Sequence, residues 1–371
     1  MDKLEMAREI ISTVDKEIAS LFCKRMDAVR MVAEYKKERG LPIFDAGREA
    51  VLLARNAEYI ADDELRSYYV SFQKHTMEVS KTYQRRLIEG VKIAYSGVEG
   101  AFAHIAAGRI FPDGQTVPYE DFQAAYQSVV DGECECAVLP IENSYAGEVG
   151  QVMDLMFNGS LYVNGVYDLP VTHNLLGVPG SSPDTITTVI SHPQALKQCG
   201  EYIKAKGYEV IQATNTAIAA QTVAEKGDIH AAAIASAETA ELYDLRVLDH
   251  DINESSVNTT RFAVFSRVPN QSAKGRDKKF LLLFTVNNVA GALAKAISVI
   301  GEHGFNMRAL RSRPLKELAW QYYFYVEAEG DENSDAGKEM LAALSDYCDM
   351  LKVVGGYTME VSLQKKRGEE E

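Results

Sequence analysis

Val91-Lys92-Ile93-Ala94-Tyr95 marks the point where the hydrophobic period of this chain changes. Upstream, apolar residues recur every three or four positions, as on one face of a helix. From Val91 onward, short apolar runs of strand length alternate with helical stretches. The 371 residues leave room for two or three domains. The change of period predicts an all-α segment followed by α/β organisation.

Upstream, the stripe runs through Leu4, Ala7, Ile11, Val14, Ile18, Leu21, Ala28, Val32 and Tyr35 and stops at Gly40, with Pro42 beyond. A helix over about residues 3–39 would be roughly 55 Å long, more than a 90-residue domain is wide. It needs a partner along its length, so a helical dimer is expected. Arg25 falls where an apolar residue is due. A guanidinium buried unpaired is costly, so Arg25 either snorkels to water or meets an anion. Lys36, eleven residues on, lies within about 20° of it on the helical wheel. Arg8 points elsewhere, toward a partner subunit's site. Asp45, Arg48 and Glu49 open a second helix, and Asp62 or Asp63 caps a third. On that third helix Leu65, Tyr69, Phe72, Thr76, Val79 and Tyr83 form the stripe, flanked by Ser80 and Gln84 at i, i+4.

Composition sets outer limits. Hydrophobic content of 46% and charged content of 25% are ordinary for soluble globular chains. No apolar run reaches 18 residues, so no membrane span is expected. Met1-Asp2-Lys3-Leu4-Glu5 lacks the basic and apolar regions of a secretory signal. Cys23, Cys134, Cys136, Cys199 and Cys348 are odd in number and scattered, which fits reduced thiols and a cytoplasmic setting. The net charge of −14 disfavours nucleic acid and anionic membranes as partners. Through Gly90 the chain is neutral, and the remainder carries the whole deficit. A neutral, arginine-rich segment suits an anionic small molecule, although a solvated helical surface explains the same composition.

Downstream, Ser96-Gly97-Val98-Glu99-Gly100-Ala101 opens a helix containing Ala103, Ala106 and Ala107. It lacks the Gly-Lys-Ser/Thr end of a phosphate loop. Cys136–Pro140 is a second strand, running into the polar turn Ile141–Gly147. The alternation continues through Val189–Gln194, a helix around Gln198, and Ala231–Ala235, with sites expected at strand carboxyl ends. Val257-Asn258-Thr259-Thr260-Arg261-Phe262 places polar side chains and a cation ahead of the strand run Phe262–Phe265. Locally this is a solvated turn; after two α/β stretches it becomes a candidate ligand-facing mouth. The seven histidines form no ligand array, and Cys134 and Cys136 fall on opposite faces of a strand, so no metal is expected. His192, before Pro193, reads as structural. After the polar linker Asn270–Asp277 come a strand at Phe280–Val286, a helix at Gly291–His303 and strands at Met307–Leu310 and Gln321–Glu327. A helix near Ala336–Ala343 and a strand near Val353 complete a ferredoxin-like βαββαβ order.

The set Arg8…Arg25…Lys36…Asp45-x-x-Arg48-Glu49…Ser80-x-x-x-Gln84 resembles the helical class of chorismate mutase over residues 1–90. The resemblance implies an intertwined dimer with two sites, each borrowing one arginine. Chorismate carries two carboxylates, which arginine forks match. Its rearrangement to prephenate is pericyclic and needs a held conformer and charge stabilisation, with no nucleophile. Lys36 and Gln84 would then donate to the ether oxygen. Asp45 and Glu49 would accept from the ring hydroxyl, and Arg8, Arg25, Arg48 and Ser80 would hold carboxylates.

Residues 91–270 resemble prephenate dehydratase through Gly97-x-x-Gly100-Ala101-Phe102-x-His104, Pro140-Ile141-Glu142-Asn143-Ser144, Ser191-His192-Pro193-Gln194-Ala195-Leu196-x-Gln198-Cys199 and Asn258-x-Thr260-Arg261-Phe262. The resemblance implies two α/β lobes like those of periplasmic binding proteins, with the site in the cleft. It implies loss of the ring hydroxyl and carbon dioxide from prephenate, without cofactor or metal, to give phenylpyruvate. Thr260 would be the donor at the leaving hydroxyl and Arg261 would set an anion-friendly field. Asn143, Ser191 and Gln198 would be the other polar groups in the cleft.

Residues 279–360 resemble the ACT regulatory domain, with Gly291-Ala292-Leu293-Ala294 and Arg311-Ser312-Arg313-Pro314 at its two phenylalanine-binding motifs. The second departs from the pattern, which usually has Glu where Arg311 stands. The expectation is a bifunctional, phenylalanine-inhibited, cytoplasmic enzyme that is a homodimer or larger. Two other readings stay open: a dehydratase preferring arogenate, and a non-catalytic amino-acid sensor.

Overall fold

The structure is a computed structural model, and it describes residues 2–255, 257–270, 278–316, 320–358 and 361–363. The chain separates into two compact units, Met1–Lys92 and Ile93–Glu371.

The first unit is three helices: α1 (Lys3–Arg39), α2 (Ala46–Ala57) and α3 (Asp63–Glu89). Each start has a carboxylate cap. Asp2 and Glu5 form a capping box on α1, Asp45 accepts from the Arg48 N–H, and Asp62 caps α3. Gly40 ends α1 in the left-handed conformation that glycine adopts without strain. Within one chain α1 buries Val29 and Ala33, which flank the expected stripe, and none of the stripe residues themselves. Ile11, Val14, Ile18 and Leu21 are 45–62% exposed, as are Leu65 and Phe72 of α3 at 58% and 52%.

The second unit begins with a lobe made of β1 (Lys92–Ser96), α4 (Phe102–Ile110), β2 (Gln115–Tyr119), α5 (Phe122–Val130), β3 (Cys136–Asn143), β4 (Gly147–Glu148), α6 (Gly150–Asn158) and β5 (Tyr162–Pro170). A second lobe follows: β6 (Asn174–Gly177), β7 (Thr188–Ser191), α7 (Pro193–Gln198), α8 (Gly200–Lys206), β8 (Glu209–Gln212), α9 (Thr216–Lys226), β9 (Ala231–Ala235), α10 (Ala237–Leu242) and β10 (Arg246–Asp249). The chain then returns to the first lobe as β11 (Thr259–Ser266), between β5 and β3. The first sheet has the order β16-β5-β11-β3-β1-β2, with β4 on β3 and β16 being Val361–Ser362; the second has the order β10-β6-β9-β7-β8. The expected turn at Ile141–Gly147 starts later than its composition suggests, because β3 keeps pairing with β11 as far as Asn143.

The rest is β12 (Lys278–Thr285), α11 (Ala292–Glu302), β13 (Asn306–Pro314), β14 (Tyr322–Glu329), α12 (Asp335–Ser345) and β15 (Met350–Thr358), in a sheet of order β13-β14-β12-β15. Of the expected linker, residues 271–277 lie outside the described residues. This sheet is covered on both faces, which explains the unbroken apolar run of β12. Phe280, Leu282 and Phe284 pack with Ala296, Ile300 and Met340 of the two helices. Leu281 and Leu283 alternate to the other face and join Val163, Ala263 and Phe265 of the first sheet. At Gly355 (φ +157°) a Cβ would stand 2.1 Å from the Val163 carbonyl oxygen, so glycine is required for this approach. The strand expected at Met307–Leu310 is longer, and Arg311–Pro314 lies within it as part of β13.

Candidate active sites

In the helical unit, α1, α2 and α3 enclose a cavity of 950 Å³. Arg25, Lys36, Asp45, Arg48, Glu49, Ser80 and Gln84 all line it. The gathering follows from helix geometry: Arg25 and Lys36 share a face of α1, Ser80 and Gln84 share one of α3, and the cap of α2 presents the rest. Arg25 bonds the Ser80 hydroxyl and reaches the Thr76 carbonyl at 3.4 Å. Burial pulls its pKa below the usual guanidinium value. Lys36 Nζ donates to the Ile43 carbonyl at 2.6 Å. Burial, and then the Arg48 charge, lower its pKa. Gln84 is 8% exposed, and its Oε1 has no partner. Sequence reasoning missed Lys81, which is 9% exposed and pairs with Glu49 at 3.2 Å and Glu78 at 2.7 Å. Its place three residues before Gln84, on the same side of the helix, was the available signal. Arg8 does not line this cavity; it lies in the exposed N-terminal half of α1.

In the second unit a cleft of 300 Å³ opens between the two lobes. Thr260 and Asn143 face each other across β11 and β3 on its wall. Asn143 Oδ1 accepts the backbone N–H groups of Tyr145 (3.0 Å) and Ala146 (2.9 Å). A backbone N–H can only donate, so the amide's orientation is fixed. Nδ2 therefore donates, to Thr260 Oγ1 at 2.9 Å, Asn258 Oδ1 at 3.0 Å and the Thr259 carbonyl at 3.2 Å. Asn258 Nδ2 then donates to Gln198 Oε1 at 3.1 Å, and His173 Nε2 lies 2.8 Å from the same oxygen. That oxygen accepts, so His173 carries its proton on Nε2. Two consequences follow at the ends of the chain. The Thr260 hydroxyl, already accepting from an amide, retains its own proton to donate. His173 Nδ1 and Gln198 Nε2 are buried without partners. Burial also holds the His173 pKa below its ordinary value, which keeps the ring neutral.

Two expected residues are elsewhere. Ser191 is fully buried, and its hydroxyl donates to the Ile234 carbonyl at 2.6 Å. The next residue, His192, reaches the cleft instead while also capping α7 through the Gln194 N–H at 3.2 Å. Arg261 follows Thr260 on a strand, so its side chain leaves by the opposite face. There it meets Glu327 at 3.1 Å, with Asp168 and Glu142 at 3.5 Å. Its guanidinium does not line the cleft. Among the described lining residues none is Arg, Lys, Asp or Glu. Instead the N-termini of α4 (Ala101, Phe102, Ala103), α6 (Val149) and α9 (Asn215, Thr216) open onto the cleft. Ala101 and Val149 supply no side-chain cap, so their helices' first N–H groups stay available to an anion. His173, which sits at the crossing between lobes, carries no local motif and was missed.

In the third sheet, Gly291 precedes α11 with φ +82°, and Ala292 and Leu293 begin the helix. On β13, Arg311 bonds Glu142 and Arg313 bonds Asp154 at 3.2 Å, whereas Ser312 and Pro314 alternate to the exposed face. The two arginines are thus committed to carboxylates of the first lobe. Among the described residues no cluster of His, Cys, Asp and Glu could hold a metal, and no helix is long and apolar enough to cross a membrane.

Two family models match: chorismate mutase type II over residues 7–85, and prephenate dehydratase over residues 93–270. A bifunctional chorismate mutase/prephenate dehydratase of Enterobacter agglomerans is 31% identical, the match covering 95% of each chain. An arogenate dehydratase/prephenate dehydratase of Arabidopsis thaliana is 34% identical over 73% of each. The crystal structure of a prephenate dehydratase from Arthrobacter aurescens in complex with L-Phe superposes with a TM-score of 0.68 at 25% identity, covering 72% of this chain and 90% of that one. An isomerase and a carbon–oxygen lyase therefore share one polypeptide. The chain belongs to the bifunctional chorismate mutase/prephenate dehydratase family. It rearranges chorismate to prephenate, then dehydrates and decarboxylates prephenate to phenylpyruvate in phenylalanine biosynthesis.

Proposed function

We propose that the 950 Å³ cavity of the helical unit is the mutase site and the interlobe cleft the dehydratase site. In the first, Arg25, Arg48 and Ser80 hold the carboxylates of chorismate, and Arg8 enters from a partner subunit. Lys36 and Gln84 donate to the ether oxygen as its charge grows, while Asp45 and Glu49 orient the ring hydroxyl. Lys81 keeps the Glu49 carboxylate in place. The long, half-exposed apolar stripe of α1 supports a homodimer, because a soluble monomer rarely leaves so large a patch uncovered.

In the cleft, Thr260 donates to the C4 hydroxyl as it departs, and the electrons of the breaking C1–carboxylate bond aromatise the ring. The fixed polarity of the Asn143 amide carries this reading, since it leaves the Thr260 proton free. The uncapped helix starts receive the substrate's carboxylates. Arogenate, with an ammonium in place of the keto group, is the alternative substrate, and the plant relative's description favours testing it. The unpartnered His173 Nδ1 could accept from that ammonium.

The chain divides into mutase (1–90), dehydratase (91–270) and ACT-like (279–360) domains, and it works in the cytoplasm. The last domain senses phenylalanine near Gly291–Leu293 and the exposed Ser312 and Pro314 of β13, a reading supported by the L-Phe complex of the Arthrobacter enzyme. Product analysis from chorismate, with and without phenylalanine, tests the whole reading. Phenylpyruvate should form, and less of it when phenylalanine is added. Accumulation of prephenate alone would contradict the dehydratase assignment, and indifference to phenylalanine would contradict the sensor.

A further inference from the structure

Thr260 and Asn143 pair across β11 and β3 and face the cleft. The next pair on the same strands, Arg261 and Glu142, faces the other way, toward the third sheet. The register breaks immediately after it: Phe262 pairs with Pro140, so Ile141 is an extra residue on β3. A bulge re-aims side chains and interrupts the ladder, leaving β3 less restrained against β11 at that point, although β11 stays in register with β5 on its other side. A restraint from outside the ladder is present. Glu327 of β14 is 1% exposed, and its two carboxylate oxygens lie 3.1 and 3.4 Å from the two terminal nitrogens of Arg261. Lys279 stands 3.7 Å from the same carboxylate.

We propose that Glu327, supplied by the third sheet, is a positioning residue for the dehydratase reaction: it forks Arg261 of β11 from behind, Arg261 in turn stands 3.5 Å from Glu142 of the bulged strand β3, and the two strands are so fixed where Thr260 meets Asn143. A buried ion pair adds little net stability over an apolar pair of the same shape, but a planar fork specifies position. The C-terminal sheet is therefore part of the dehydratase apparatus as well as the site of regulation. The inference rests on Thr260 as the donor.

The test uses the full chain carrying Glu327→Gln, assayed on prephenate and on chorismate. Dehydratase kcat should fall by about tenfold or more, with KM within about twofold, since displacement of a donor by an ångström is that costly. Mutase turnover should not change. Glu327→Asp, which keeps the charge, should recover most of the loss. Glu329→Gln, which alters only the exposed contacts with Arg308 and Asn306, should match the parent. A merely structural role would lower the active fraction in any background, so its loss would multiply with that of Thr260→Ser. Positioning acts through the same hydroxyl, so the double variant should lose less than the product of the single losses. If Glu327→Gln does not fold, Arg261→Lys, which keeps a cation but loses the fork, carries the same cycle. Multiplying losses, or an unchanged kcat in Glu327→Gln, would overturn the inference. If Thr260→Val keeps dehydratase activity, the donor assignment fails first. If Thr260→Val is inactive and Glu327→Gln is silent, only the role of Glu327 fails.

Discussion

The cavity of the helical unit is lined by four cations, Arg25, Lys36, Arg48 and Lys81, and by two carboxylates, Asp45 and Glu49. The cleft of the dehydratase lobes has no formally charged side chain among its described lining residues, only amides, hydroxyls and two histidines. Both sites receive a substrate with two carboxylates. The difference follows from the chemistry. A pericyclic rearrangement has no proton to move, so a strong fixed field around a held conformer suffices. Expulsion of a hydroxyl needs one donor with its proton pointing the right way. A ring of cations there would stabilise the carboxylate that must leave as carbon dioxide. A neutral network whose polarity is set by two backbone N–H groups supplies direction without that penalty.

Lys36→Ala should have the largest effect. It removes a donor from a preorganised field, which costs about 10²- to 10³-fold in turnover. Chorismate consumption should fall by that factor while added prephenate is still dehydrated at the parent rate. Next is Asn143→Ala, which leaves the Thr260 rotor undirected and two backbone N–H groups unsatisfied. Dehydratase kcat should fall by about ten- to a hundredfold, on the order of 1–3 kcal/mol, with mutase turnover intact.

The pH response should be smaller. Burial depresses the pKa of His173, and also those of His104 and His192, from the ordinary 6.5. In the window just below pH 6.5 the unfolded chain binds protons that the folded unit does not, so stability falls as pH falls. The unfolding midpoint of the second unit should decline below pH 6.5, and less steeply in His173→Gln than in the parent. The smallest effect is that of salt. Raising ionic strength should increase the mutase KM by a few-fold and leave the dehydratase KM nearly unchanged, because screening acts on charges and little on buried dipoles.

The helical site was legible because helical spacing converts directly into a shared face: the residues at 25 and 36, or 80 and 84, must project together. The cleft was legible only in part. Thr260, Asn143 and Gln198 meet as their motifs implied. Arg261 and Ser191 do not, and both errors are errors of one position. On a strand, adjacent residues leave by opposite faces, so a motif that names Thr260-Arg261 or Ser191-His192 does not say which member faces the ligand. His173 escaped because its place is set by the crossing between lobes. The apolar stripe of α1 is legible in the sequence, but within one chain it stays exposed.

Feeding chorismate to the Thr260→Val chain tests most directly the claim that two chemically opposite sites work independently on one polypeptide. Chorismate should disappear at the parent rate and prephenate should accumulate stoichiometrically, with no phenylpyruvate. Continued formation of phenylpyruvate, or an equal slowing of chorismate loss, would contradict the account.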